Sequence, residues 1–170
     1  MENNTKSSEI TVFVDKNLGL IKKMELISFA IFLIGFICFE SNISNSNYIL
    51  IIGSILTAIT LFLQAFKTIV LEDFESYNIL GASTFINFIF KLYFFGLSVS
   101  FISLIGFVLD FKNGNTFAVC GGSTLIIILI LTFFSKIQDK SNIYDLKFYL
   151  RIIVCLLFLG YLIYNKGIMK

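Results

Sequence analysis

Two polar stripes hold most of the side chains in this sequence whose type and spacing could serve a function. Gly53, Thr57, Thr60 and Gln64 recur at intervals of 4, 3 and 4, with Ser54 and Ala58 beside them, and Gly96, Ser100 and Ser103 recur at 4 and 3, with Ser98 and Gly106 adjacent. Each set falls on one face of a helix of 3.6 residues per turn. Small and hydroxylated residues on such a face let two backbones approach and let hydroxyls bond across the contact, which is how helices associate in lipid. The same Thr57, Thr60, Gln64 and Ser100 could alternatively line a polar pathway for a solute.

Other chemistry is hard to assemble. Histidine is absent, which removes imidazole acid–base catalysis and the usual zinc and haem ligands. Cys38, Cys120 and Cys155 stand singly in apolar runs, with no CxxC pattern, and read as small packing residues. Glu72, Asp73 and Glu75 cluster in one connection, where a solvated loop is favoured over a site for a partner protein or a divalent ion. Glu25, Glu40, Lys91, Asp110 and Arg151 all fall at or near the ends of apolar runs, whereas an intramembrane enzyme or ion-coupled carrier places charge at mid-depth. No paired carboxylates, Ser-Lys dyad or Gly-rich phosphate loop can be built, so catalysis, cofactor and metal are not expected.

The elements that would position these stripes follow from composition. Of 170 residues 57% are apolar and 14% are charged, against about 25% charged in a soluble domain. A mean hydropathy of +0.90 points to a chain solvated by lipid. The net charge of +2 is scattered, with no basic stripe or acidic block of the kind nucleic acid or a polybasic lipid clamp requires, so nucleic acid is not an expected partner. Proline is absent, so the helices should run without proline kinks.

About 20 apolar residues cross the hydrocarbon core, and five runs qualify: residues 24–39, 48–66, 85–109, 117–134 and 148–165. They make an all-α integral membrane bundle over 24–165, preceded by a segment at 1–23 and followed by a short tail at 166–170. The first run is short unless Leu18 to Ile21 extend it, and the last carries Arg151 in its first turn. A four-span alternative lays that last segment in the interface. Within 1–23, Ile10, Phe13, Val14, Leu18 and Ile21 recur at helical spacing, as in an amphipathic surface helix or an extension of span one. Leu125 sits in the most apolar run, on a face expected to meet lipid.

Lysine and arginine near the run ends (Lys16, Lys22, Lys23, Lys67, Lys91, Lys136, Lys140, Lys147 and Arg151) place the N-terminus in the cytoplasm and, with five spans, the C-terminus outside, in a plasma (inner) membrane. Leu33-Ile34-Gly35-Phe36 recurs as Leu104-Ile105-Gly106-Phe107, and Gly53-Ser54 as Gly122-Ser123. This suggests two repeated hairpins followed by a C-terminal helix. The functional expectation is a non-enzymatic structural or accessory subunit whose partners are the bilayer and other membrane subunits or a second copy of itself. The alternative is a small oligomeric transporter or pore lined by the two stripes.

Overall fold

The computed structural model describes residues 9–67, 80–109, 114–138 and 146–168, and these residues form six α-helices. They are α1 (Glu9–Lys16), α2 (Leu18–Glu40), α3 (Ser46–Gln64), α4 (Leu80–Val108), α5 (Gly114–Gln138) and α6 (Leu146–Ile168). Four of them contain stretches long and apolar enough to cross a membrane: Ser46–Gln64, Phe85–Gly106, Thr116–Phe134 and Leu146–Tyr164. Among the described residues the chain is therefore all-helical and of membrane-spanning character.

The four are not the four that the sequence ranks first. The C-terminal segment, the weakest candidate for a span, is a 23-residue helix whose Phe148, Ile152 and Leu159 are buried against the bundle. The stretch 24–39 belongs to a helix that starts earlier, at Leu18, and so reaches about 34 Å at 1.5 Å per residue. Every 18-residue stretch of α2 holds three of the charged residues Lys22, Lys23, Glu25 and Glu40, more charge than any of the four spans carries. The cluster Glu72, Asp73 and Glu75 lies outside the described residues, as does the turn at Asn113.

α1 is a separate amphipathic helix, but only Asn17 parts it from α2, and the backbone ladder runs through that residue: Asn17 N donates to Phe13 O at 3.1 Å and Ile21 N donates to Asn17 O at 3.0 Å. Val14 and Ile21 are buried, while Ile10, Val12 and Phe13 stay exposed.

Consecutive helices from α2 onward run antiparallel because their connections are short or their contacts pair in reverse. Asn42 and Asn45 take left-handed φ values of 55° and 66°, which asparagine tolerates better than most residues, and so turn the chain between α2 and α3. Gly35 and Gly53 then bring the two backbones together: a Cβ on Gly35 would lie 2.6 Å from Leu50 N, and one on Gly53 2.5 Å from Phe32 N. The α4–α5 hairpin closes the same way at Gly106 and Gly114, where a Cβ on Gly106 would lie 2.8 Å from Gly114 Cα. The match between hairpins stops there. Gly53 meets α2, whereas Gly122 faces Leu156 and Leu159 of α6, and it is Gly121 that approaches Ser100 of α4.

α4 lies at the centre and takes part in both main cores. One core joins Leu61 and Ala65 to Ile89, Tyr93 and Leu97 of α4, Leu125 and Ile128 of α5, and Phe148 and Ile152 of α6. The other joins Phe32, Leu50 and Leu104, with Phe101 and Phe158 packed on it. Aromatic edges make many of these contacts: Phe32 meets Phe101 at 5.1 Å and Phe158 at 5.7 Å between ring centroids, both nearly perpendicular. Leu125 corrects an expectation, because it is 0% exposed in this core and does not meet lipid. Its neighbours Ile126 and Ile127 carry the lipid-compatible face, at 49% and 53% exposure. An apolar run nineteen or more residues long looks alike on every side, so the sequence could not say which leucine turns inward.

Candidate functional site

Polar side chains from four helices meet near the starts of α2 and α6, the end of α3 and the middle of α4. Glu25 of α2 accepts from Arg151 of α6 at 3.2 Å through Oε1 and from Gln64 Nε2 of α3 at 2.8 Å through Oε2. Tyr93 of α4 lies near the same guanidinium. The Glu25 side chain is 15% exposed and that of Arg151 48% exposed, so the pair lies at the margin of the packed interior. A charged donor and an amide thus each engage one oxygen of the Glu25 carboxylate, which ties α6 and α3 to α2.

Lys67 lies beside this cluster, immediately beyond α3. Its Nζ rests over the rings of Phe90 and Phe94 of α4, 5.9 and 5.8 Å from their centroids, within cation–π range. Burial pushes the Lys67 ammonium below its ordinary pKa, the positive charges of Lys22 and Arg151 push the same way, and Asp15 opposes them.

The first stripe is buried. Thr57 and Thr60 are buried, and each hydroxyl donates back along its own helix, Thr57 to Gly53 O at 2.8 Å and Thr60 to Thr57 O at 2.9 Å. Gln64 continues the stripe and leaves it to reach Glu25. Gly53, at its other end, is the crossing point with α2. This stripe therefore faces α2.

The second stripe faces α5. A Cβ on Gly96 would lie 3.2 Å from Leu125 and Thr124 side-chain carbons, and Ser100 sits against Gly121. Ser100 donates to Gly96 O at 2.8 Å and Ser103 to Ser100 O at 2.6 Å, so these hydroxyls are also satisfied within their helix. Between the two stripes, Ser98 donates to Ala58 O at 2.9 Å and joins α4 to α3. Gly53, Thr57 and Thr60 thus do not share a contact surface with Gly96, Ser100 and Ser103, and the seven residues do not converge on one site.

Sequence reading named Gln64 but not its partner. Glu25 and Arg151 read in the sequence as separate markers of helix ends, although a carboxylate and a guanidinium at matching depth beside an amide is a signal that pairs them. Ser98, noted only as a neighbour of its stripe, makes the bond that leaves its helix. Cys38, Cys120 and Cys155 are free and sit on three different helices. No protein-family model, curated protein or solved structure matches this chain.

Proposed function

We propose that this chain is a non-enzymatic, multi-pass membrane protein that serves as a structural or accessory subunit, packing against other membrane chains or a second copy of itself. In this reading it crosses a plasma (inner) membrane with five helices, α2 to α6, its N-terminus cytoplasmic and its C-terminus outside. The length of α2 and its close antiparallel packing on α3 support the fifth crossing. The gathering of Lys22, Lys67 and Arg151 with Glu25 at one end of the bundle supports the orientation, because lysine and arginine collect on the cytoplasmic side.

The observation that carries the subunit reading is the internal satisfaction of both stripes. Thr57, Thr60, Ser100 and Ser103 are buried at 3% exposure or less and bond to carbonyls of their own helices. A conducting wall needs polar groups turned to water. Purification in a mild detergent should yield the chain at fixed stoichiometry with another membrane chain or as a homo-oligomer. Vesicles containing the pure protein should pass no more ion or solute than empty ones. Flux that falls with Thr60→Val or Gln64→Leu would replace the subunit by the transporter or pore.

A further inference from the structure

Among the described residues α6 packs on α4 and α5, and long side chains carry it across to α2. The seam between α2 and α6 is closed at each end by a glutamate of α2. Glu25 accepts from Arg151 at 3.2 Å near the start of both helices, and Glu40 accepts from the Tyr161 hydroxyl at 3.4 Å near the far end. Rings fill the middle: Phe158 of α6 stands 5.7 Å from Phe32 and 4.8 Å from Phe36 between centroids. Gly35 and Gly53 lock α2 against the backbone of α3, whereas Gly160 of α6 meets nothing within 4 Å. Of the four apolar spans, that of α6 is the least enclosed, with 17% of it buried against 28% to 50% of the others, so the two carboxylate bonds are a large share of what joins it to α2.

We propose that the seam between α2 and α6 is a proton-operated lateral joint, shut while Glu25 and Glu40 are ionised and free to part when both are protonated. A bond from a guanidinium to an ionised carboxylate is about twice as strong as a neutral one, and the protonated acid keeps a carbonyl acceptor but loses the charge. Opening then strands no polar group. Gln64 of α3 keeps its acceptor in the neutral Glu25, and Arg151, with its side chain 48% exposed, has a stem long enough to carry the guanidinium to the headgroups. The Tyr161 ring is 42% exposed at the other end, and between the ends the phenylalanines exchange ring contacts for lipid chains. The charged groups at the Glu25 end are Arg151 and Lys147 on α6, Lys22 on its own helix, Lys67 past α3 and Asp15 on α1, with Tyr93 on α4. Glu40 faces Tyr161 on α6, and Asn45 to Asn47, which lead into α3 beside it, carry no titratable group. Asp15 is a carboxylate as well, so the test must act through the two glutamates themselves.

The joint does not rest on the subunit reading, because its test is a distance within one chain. With Cys38, Cys120 and Cys155 replaced by alanine, spin labels are placed across the seam through Leu26→Cys and Leu150→Cys, 72% and 57% exposed, and away from it through Ile52→Cys and Ile127→Cys, both 53% exposed. Pulsed electron resonance reads each pair at about pH 7 and at about pH 3, on either side of the ordinary carboxyl range. The seam distance should lengthen in acid by about 2–5 Å, the scale of a helix displacement, while the α3–α5 distance holds. Glu25→Gln together with Glu40→Gln should give the longer distance at both pH values. Arg151→Met removes the donor from the other side, should lengthen the distance at neutral pH, and gives the same reading should the double variant not fold. A parent distance that ignores acid, variants that keep the short distance, or an equal change in the α3–α5 pair would overturn the joint.

Discussion

Glu25 near the start of α2 and Arg151 near the start of α6 form a 3.2 Å ion pair that ties the first long helix of the chain to its last. Tyr161 and Glu40 approach to 3.4 Å at the other end of the same two helices, and Phe32 and Phe36 pack on Phe158 between them. Side chains thus link α6, which packs on α4 and α5, to a helix far from it in sequence. Lipid supplies no hydrophobic drive for such an association, so polar bonds and ring packing must provide it.

The ion pair should show coupling. Glu25→Gln keeps an acceptor for Gln64 but removes the charge, and Arg151→Met removes the partner. Each should lose about 1–3 kcal/mol, less than a fully buried pair because Arg151 is half exposed. The double variant should lose less than the two single losses together, by about 0.5–2 kcal/mol. Unfolding of the four proteins in detergent measures this, and strict additivity would mean that the pair contributes nothing.

Glycine substitutions should divide by crossing geometry. Gly53→Ala puts a methyl 2.5 Å from Phe32 N and 2.6 Å from Phe32 Cα, and since both are backbone atoms the helices must separate. A loss of about 1–3 kcal/mol follows. Gly160→Ala meets nothing within 4 Å and should cost nothing. Comparable unfolding temperatures for the two variants would contradict the close approach of α2 and α3.

Adjacent residues of α5 should respond in opposite ways to truncation. Leu125→Ala opens a cavity at a 0% exposed position and should lose about 2–5 kcal/mol. Ile126→Ala, 49% exposed, removes a side chain that meets lipid or detergent and should lose under about 1 kcal/mol. Thermal stability in one detergent compares them, and a larger loss at Ile126 would reverse the assigned faces.

The pH dependence attached to Lys67 has a defined sign. Burial and the charges of Lys22 and Arg151 hold its folded pKa below 10.5, so between the folded and unfolded values the unfolded chain binds more protons. Stability from this residue therefore rises with pH across that window and levels off above 10.5. In detergent without anionic lipid or phosphate, Lys67→Met should be at least as stable as the parent near neutral pH, and the difference should shrink as pH approaches 10.5. A difference that grows with pH would mean that Lys67 is stabilised by a partner.

Much of the helical order is legible in the amino-acid sequence because it depends on local sums. Length and apolarity of 117–134 or 85–109 are properties of consecutive residues, and a helix is the only way such a run can satisfy its backbone in lipid. The stripes of Gly53, Thr57, Thr60 and Gln64 and of Gly96, Ser100 and Ser103 are legible for the same reason, since 3.6-residue periodicity is local. Their burial follows from it.

Which helix each stripe meets is not a local property. Gly53 faces α2 and Ser100 faces α5 because the rotation of α3 and α4 about their own axes is set by neighbours, here by the Gly35 crossing and the Ser98 bond to Ala58. The same rotation turns Leu125 inward in a run where Leu125 and Ile126 are chemically alike. It also unites Glu25, Gln64, Tyr93, Lys67 and Arg151, of which Glu25, Lys67 and Arg151 alone read as markers of helix ends. Charge and size are written in the sequence, but partnership depends on distances between segments far apart in the chain, and only the packing of α2, α3, α4 and α6 fixes those.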